Sequence, residues 1–336
     1  MRALFALLVL AASMSAAKTL DVYFIDVEGG QATLVVAPSG ESMLTDAGWP
    51  GFNGRDSGRI AAAAKAAGIQ QIDYFVASHY HLDHVGGAGE LAAKVPIRAF
   101  VDHGPTVESG ADADKLFGVY RAARDKGRHL RVKPGDTIPL KGLNVQVVAA
   151  GGEKIARSLK GPGAGAANGL CASTPMKEED KGENARSVGT LVSFGDFRMI
   201  NLGDLTWNKE RDLVCPSNPI GAVDVYLTTH HGLDSSGPRA IVHALRPRVV
   251  VMNNGARKGG TAEALQVIRS SPGLEDVWQL HYSLNAGKDL NAADTFIANT
   301  DESCSGQWLK LSVSPDGSFT LTNSRNRYSK QYKPRS

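Results

Sequence analysis

Apolar side chains recur at Leu20, Val22, Phe24 and Ile25 within Thr19 to Val27, the near-alternation of a half-buried strand. Thr33 to Ala37 and Ser42 to Asp46 read as two more strands, set off by turns at Gly29-Gly30 and Pro38-Ser39-Gly40. Arg59 to Gly68 is an Ala-rich helix stopped by Gly68, and Ile72 to Ala77 is a continuous apolar run of the buried-strand type. A short helix over Gly86 to Lys94, a strand over Ile97 to Val101, a helix over Asp112 to Lys126 and a strand over Leu143 to Ala149 follow. The same rhythm resumes at Ser187. Val188 to Phe194 and Phe197 to Asn201 form a hairpin turning at Gly195-Asp196, followed by strands at Val223 to Thr228 and Val249 to Met252 and helices at Pro238 to Leu245 and Thr261 to Arg269. From Thr295 the chain is again strand-rich, with a Pro315-Asp316-Gly317 turn. Strands followed by strand–helix alternation, given twice and without a repeat or a Pro/Ser linker, predict an α/β class domain in which two mixed β-sheets are flanked by helices, an αββα sandwich.

Two segments depart from this rhythm. Arg2, an apolar run from Ala3 to Ala12 and the small residues Ser15-Ala16-Ala17 have the layout of a signal peptide, too short to span a bilayer. Cleavage after Ala17 is expected, leaving one domain over residues 18–336, secreted or periplasmic and without membrane contact. Gly151 to Glu183, rich in Gly, Ala, Pro and charge, is no core element; it reads equally as a binding lid and as a surface insertion. Export would put Cys171, Cys215 and Cys304 in an oxidising compartment, where a Cys171–Cys215 bridge is the first choice, although sequence alone does not settle the pairing.

Composition changes the picture little. A chain of 336 residues with 42% apolar content can bury a substantial core, as one large domain or two small ones. The formal net charge is +3, from 37 basic and 34 acidic residues without a block of like charge. Nothing in it demands a stable nucleic-acid partner or a membrane surface.

The chemistry concentrates at His79-Tyr80-His81-Leu82-Asp83-His84, directly after the apolar strand at Ile72 to Ala77. Zinc prefers imidazole nitrogen and carboxylate oxygen. In an extended loop His79 and His81 point the same way and can share one ion, while Asp83 and His84 can turn towards a second. Gly86-Gly87 lets the backbone wrap closely. Downstream, Asn201-Leu202-Gly203-Asp204 and Thr229-His230-His231-Gly232 each close a strand. Asp204 alone would read as a helix cap; beside the histidine cluster it reads as a carboxylate bridging two ions. Consecutive side chains on an extended segment face opposite ways, so one of the histidine pair is expected to complete the second site. His230, directly after the strand, is the expected ligand, with His231 approaching substrate.

His-x-His-x-Asp-His, then Gly-Asp, then a late histidine at a strand end resembles the metallo-β-lactamase superfamily. The chain is more closely similar to the competence-type (ComEC-like) extracellular hydrolase domains, at Phe24-Ile25-Asp26-Val27, Asp73-Tyr74, His79 to Gly87, Asn184-Ala185-Arg186-Ser187, Leu202-Gly203-Asp204-Leu205, His230-His231-Gly232 and Asn254-Gly255. The metal pattern also resembles that of a bacterial choline-phosphate esterase. The resemblance implies a metallo-β-lactamase fold and two zinc ions per chain holding a bridging hydroxide, with His79, His81, Asp83, His84, Asp204 and His230 as ligands and Asp83, Asp204 and His231 in catalytic roles.

Departures from the family narrow the substrate. Lactamases, lactonases and glyoxalase-like members carry one more metal-binding histidine between the first motif and Gly-Asp. Here only His103 and His129 lie in that interval, the first too early and the second in a surface-type segment. Glu28-Gly29-Gly30-Gln31 stands where the competence-type group has Gly-Gln-Gly-Asp. His103, Asn184, Ser187, Asn254 and His281 are candidate pocket residues; His243, inside a helix, reads as structural. No Gly-x-Ser-x-Gly elbow is present. The expected activity is hydrolysis of phosphoesters or phosphodiesters, of small-molecule or oligonucleotide type. The alternatives are a lactam, lactone or thioester hydrolase, and a non-catalytic metal-binding module.

Overall fold

The computed structural model describes residues 19–335. The expected signal segment and its cleavage point lie outside the described residues.

Two large sheets stack face to face. In the first the strands run in the spatial order Ser329–Tyr332, Phe319–Asn323, Leu309–Val313, Leu20–Phe24, Thr33–Val36, Ser42–Thr45, Ile72–Val76, Ile97–Asp102 and Arg128–Arg131. The second runs Ile297–Asn299, Asp276–His281, Val249–Met252, Val225–Leu227, Phe197–Asn201, Gly189–Phe194, Asn144–Ala150 and Thr137–Ile138, with Glu153–Lys154 pairing to Asn144–Ala150. Each sheet is antiparallel in one part and parallel in the other. The parallel runs are Ser42–Thr45 through Arg128–Arg131 and Phe197–Asn201 through Ile297–Asn299.

Period-two alternation decides which layer each residue joins. Leu20, Val22 and Phe24 enter the core between the sheets, where they meet Val225, Val249, Val251 and Trp278. Tyr23 and Ile25 face outward onto a layer containing Ile60, Ala63, Leu91 and Tyr120. On the far side Val250 and Met252 pack with Leu213, Ile241, Leu245 and Leu265. These layers make the αββα sandwich expected from the pattern.

Most elements match the sequence reading within a few residues; the first helix, Arg55–Ala66, begins earlier than the Ala-rich run. Besides some two-residue strands, two longer ones were not legible. Arg128–Arg131 is an edge strand rather than an irregular surface segment, and His129 sits on it, its Nε2 2.8 Å from Asp102 Oδ1. Asp276–His281 is almost wholly buried despite its polar residues, because Gln279 bonds to Asn291 and to the chain at Ala292. The segment 151–183 is irregular, as expected, but it is docked: Cys171 is bridged to Cys215, Trp207 Nε1 donates to Pro175 O, and Arg211 reaches Thr174 O.

Candidate metal centre

Parallel strands release their chains at the carboxyl edge, the usual ligand side of an open α/β sheet. Both parallel runs do so here. Ser42–Thr45 delivers Asp46, Ile72–Val76 delivers the loop from Ser78 to His84, Phe197–Asn201 delivers Asp204, and Val225–Leu227 delivers His230 and His231.

Four side chains meet where these edges face each other. One ligand atom each from Asp83, His84, Asp204 and His231 lies within 4.8 Å of all the others. His84 Nε2 is 3.2 Å from Asp204 Oδ2, 3.3 Å from Asp83 Oδ2 and 3.3 Å from His231 Nε2. His231 Nε2 is 3.2 Å from Asp83 Oδ2 and 3.3 Å from Asp204 Oδ2. Beside this group, His79 Nε2 lies 4.0 Å from Asp204 Oδ2 and 3.1 Å from His81 Nδ1. His81 Nε2 is 2.9 Å from Glu108 Oε1.

An outer set of groups orients these donors. Asp46 Oδ2 is 2.8 Å from His84 Nδ1 and accepts from Ser78 Oγ, which itself lies 3.0 Å from His79 Nδ1. Asn253 Nδ2 is 3.3 Å from His231 Nδ1 and donates to Gln31 Oε1. Ser187 Oγ accepts the backbone N–H of Asp204. A Cβ on Gly87 would lie 2.2 Å from Ala47 O, so glycine there lets the Asp46 segment close over the histidine loop.

The electrostatics follow from burial and from crowding of charge. Burial works against charge on His84 and His231, but the carboxylates around them outweigh it and hold both above the usual imidazole range, His84 well above. Burial alone would raise Asp83 and Asp204; the histidine charges and hydrogen bonds instead hold both below the usual carboxylate range. Burial, helped by the charge on His84, pushes His79 well down, and burial also lowers His230. Two carboxylates thus gather cationic charge between them, the arrangement that a bound dication would satisfy. Asp204 Oδ1 makes the same point: it is buried and has no hydrogen-bond partner.

The histidine pair differs from expectation. Residues 229–232 form a 3₁₀ turn rather than an extended segment, and His230 and His231 both have left-handed backbone, with φ of 53° and 57°. The alternation rule therefore does not hold there, and both imidazoles turn towards Asp204. It is His231, not His230, that enters the four-donor group. His230 Nε2 stands 3.5 Å from Asp204 Oδ2, with its Nδ1 3.1 Å from Ser235 Oγ.

The pocket candidates separate. Ser187 touches the site through Asp204, and Asn184 lies in the adjoining 3₁₀ turn Asn184–Arg186. His103 is taken up elsewhere, buried beside Tyr80 with its Nε2 3.0 Å from Glu183 Oε2. Asn254 is buried and spent on the backbone of Gly255 and His281. His281 belongs to another cluster, 2.8 Å from Asp26 Oδ1. With His103 paired to Glu183 and His129 to Asp102, neither joins the centre as the extra histidine of lactamase-type members.

Sequence reasoning missed Asp46, Lys258, Trp49 and Glu183. Asp46 ends a strand just as Asp204 does, so the same rule could have found it. Lys258 Nζ contacts Asp83 Oδ2 and sits 4.8 Å from the Trp49 ring centroid, on a loop with no local signal. Glu183, at the end of the irregular segment, accepts from the backbone of Tyr80 and Val107 and so ties that segment to the histidine loop.

Residues 25–162 match the sequence model of the Metallo-beta-lactamase superfamily. Over residues 25–162 the chain carries a metallo-β-lactamase superfamily domain. Two curated proteins are similar to this chain. ComE operon protein 3 of Bacillus subtilis is 24% identical over 191 residues, covering 56% of this chain and 21% of that protein. Recombination protein 2 of Haemophilus influenzae is 24% identical over 240 residues, covering 70% of this chain and 24% of that protein. The chain thus spans under a quarter of the length of either relative. Among solved structures, a mutant of CmlA β-hydroxylase aligns with TM-score 0.49 at 15% identity, over 80% of this chain and 53% of that one. Zinc-bound PqqB from Methylobacterium extorquens aligns with TM-score 0.41 at 14% identity, over 70% of this chain and 89% of that one.

Proposed function

We propose that this chain is an exported metal-dependent hydrolase acting on phosphoesters, with phosphodiesters and oligonucleotide fragments first. The observation that carries this reading is the convergence of Asp83, His84, Asp204 and His231 from both sheets into one buried group, with Asp204 Oδ1 left unpartnered. That donor set suits zinc, and two ions per chain are expected: one at His79, His81 and Asp204, the other at Asp83, His84, Asp204 and His231. Bound zinc supplies Lewis acidity and brings the pKa of water to about 7.

The protein's own groups supply the rest. Asp204 lies between the two donor sets and is placed to belong to both. Asp83 is held ionised by its histidine neighbours and, as an acceptor, would orient a water held at the centre. His230, the more exposed member of the pair, faces the open side, where it can approach substrate. Lys258, a third exposed over Trp49, offers a cation to an anionic group, which favours a phosphoester over a neutral lactam. The absence of an extra histidine from the centre supports the same choice. No helix among the described residues is long and apolar enough to cross a membrane. Export rests on the leader-like N-terminus and is read out by the mature N-terminal residue, expected to be Lys18.

The reading is tested on purified protein with a chromogenic phosphodiester and a chromogenic cephalosporin, each with and without chelator. Turnover of the phosphodiester, lost with chelator and restored by zinc, is expected. Turnover of the cephalosporin alone would replace the phosphoester reading with a lactam hydrolase. No turnover of either by protein with full metal content would leave a metal-binding module.

A further inference from the structure

A second group of donors lies outside this centre. Asp26 and His281 are fully buried, Glu28 and Cys304 are half-buried, and one ligand atom from each lies within 4.8 Å of all the others. His281 Nε2 is 2.8 Å from Asp26 Oδ1 and 3.6 Å from Glu28 Oε2. Cys304 Sγ is 3.1 Å from Asp26 Oδ2, 3.1 Å from Glu28 Oε1 and 4.0 Å from His281 Nε2. A thiol has a single proton, so only one of the two close carboxylate contacts can be a full hydrogen bond. The other places a sulfur lone pair against a carboxylate, a contact that a cation shared by both would make favourable.

Among the described residues, Arg59 is the one permanent cation in contact. Its Nη1 donates to Asp26 Oδ2 at 2.7 Å and lies 3.1 Å from Glu28 Oε1, and its Nη2 is 3.5 Å from Cys304 Sγ. A Cβ on Gly306 would lie 2.3 Å from Arg59 Nε, so the cysteine loop is built to let this guanidinium stay. Arg59 balances one negative charge. Asp26 and Glu28 carry two, and a Cys304 thiolate formed on metal binding would add a third, the excess of two being what a divalent ion would offset. The donors suit the ion: thiolate, imidazole and two carboxylates are a closed four-donor set of the zinc type. Glu28 and Cys304 leave one side open to solvent, by which an ion can arrive.

We propose that Asp26, Glu28, His281 and Cys304 form a second, non-catalytic metal site that takes one zinc-class divalent ion, with Cys304 giving up its proton to solvent on binding. The ion would join the first sheet, through Asp26 after Leu20–Phe24, to the second, through His281 at the end of Asp276–His281. It would also fix the Glu28 turn, at whose far end the backbone N–H of Gln31 donates to Asp83 O. The site is independent of the hydrolase reading.

Cobalt(II) provides the test, in thiol-free buffer. The centre at Asp83 contains no cysteine, and Cys171 and Cys215 are bonded to each other. A near-ultraviolet thiolate-to-cobalt charge-transfer band can therefore arise only at Cys304. Titrating apo protein with cobalt is expected to produce that band. Cys304→Ser should lose it and bind one fewer ion per chain while keeping the visible bands of the imidazole–carboxylate centre. His84→Ala should keep it. Saturation of the wild-type protein with cobalt without a thiolate band overturns the proposal, as does a band that survives in Cys304→Ser. The wild-type spectrum decides the question even if a variant does not fold.

Discussion

In the group formed by Asp83, His84, Asp204 and His231 the permanent cation among the described residues is Lys258, whose side chain is 33% exposed and lies over Trp49. In the group formed by Asp26, Glu28, His281 and Cys304 it is Arg59, whose side chain is 13% exposed and locked under the Gly306 loop. The first arrangement leaves room at the donors for something that arrives and departs. The second keeps its guanidinium in place, so any metal ion there is one part of a permanent charge balance. Similar donor chemistry thus stands beside an exposed cation in one place and a buried one in the other.

The largest expected effect breaks the first group at its centre. Asp204→Asn removes one negative charge with little change of shape, and hydrolysis should fall by roughly two to three orders of magnitude, as when a transition-state charge partner is lost. Metal content should fall with it, while circular dichroism stays unchanged. If Asp204 were only a helix cap, asparagine would cap about as well, and a variant that keeps activity and metal would remove the residue from the centre.

Next comes the histidine pair. His231→Ala should lower metal occupancy, and His230→Ala should mainly lower turnover with occupancy near wild type. Elemental analysis beside kinetics reads both; the reverse pattern would return the ligand role to His230.

A smaller effect tests whether the lysine meets an anionic substrate. Lys258→Met should raise KM for an anionic substrate by about tenfold, on the order of one charged hydrogen bond, and leave metal content unchanged. Unchanged KM together with lost metal would make Lys258 a structural counter-ion like Arg59.

The smallest effect is on stability. Burial pushes the Glu210 carboxyl up to about 8, against hydrogen bonds from Thr229 and the backbone of Gly237, just beneath the histidine turn. A raised carboxyl pKa favours the neutral form in the fold. Its stabilisation is complete below the ordinary value near 4.5 and is lost as pH rises through about 8. Glu210→Gln should abolish that loss, so that melts of the metal-free proteins diverge between these pH values, the variant being more stable by a few kcal/mol on the alkaline side, at about 1.4 kcal/mol per unit. Parallel melting curves would show that Glu210 is solvated in the native state.

How legible each group was depends on how its residues are distributed along the chain. His79 to His84 are contiguous and follow an unbroken apolar strand, so position and chemistry coincide in the sequence. Asp204 and the His230-His231 pair could be read because each ends a strand. The choice between the two histidines could not, since it rests on left-handed backbone at both, which the alternation rule does not foresee. Asp26 and Cys304 are separated by 278 residues and meet only because Leu20–Phe24 and Leu309–Val313 pair in the first sheet. His281 ends a strand whose polar residues hid it, and no local pattern marks Glu28, Arg59 or Lys258. The layered fold was readable from periodicity alone; the second cluster needs long-range strand order, which periodicity does not contain.

Because Asp83 and His84 hang from one sheet and Asp204 and His231 from the other, separating the sheets dismantles the binding site. Whatever ion the native chain binds there, the unfolded chain does not hold in the same way. Stability is then tied by mass action to the surroundings: above the dissociation constant, each tenfold rise in free metal adds about 1.4 kcal/mol per site. With an ion bound there, the melting temperature of this protein would become a gauge of the metal supply around it.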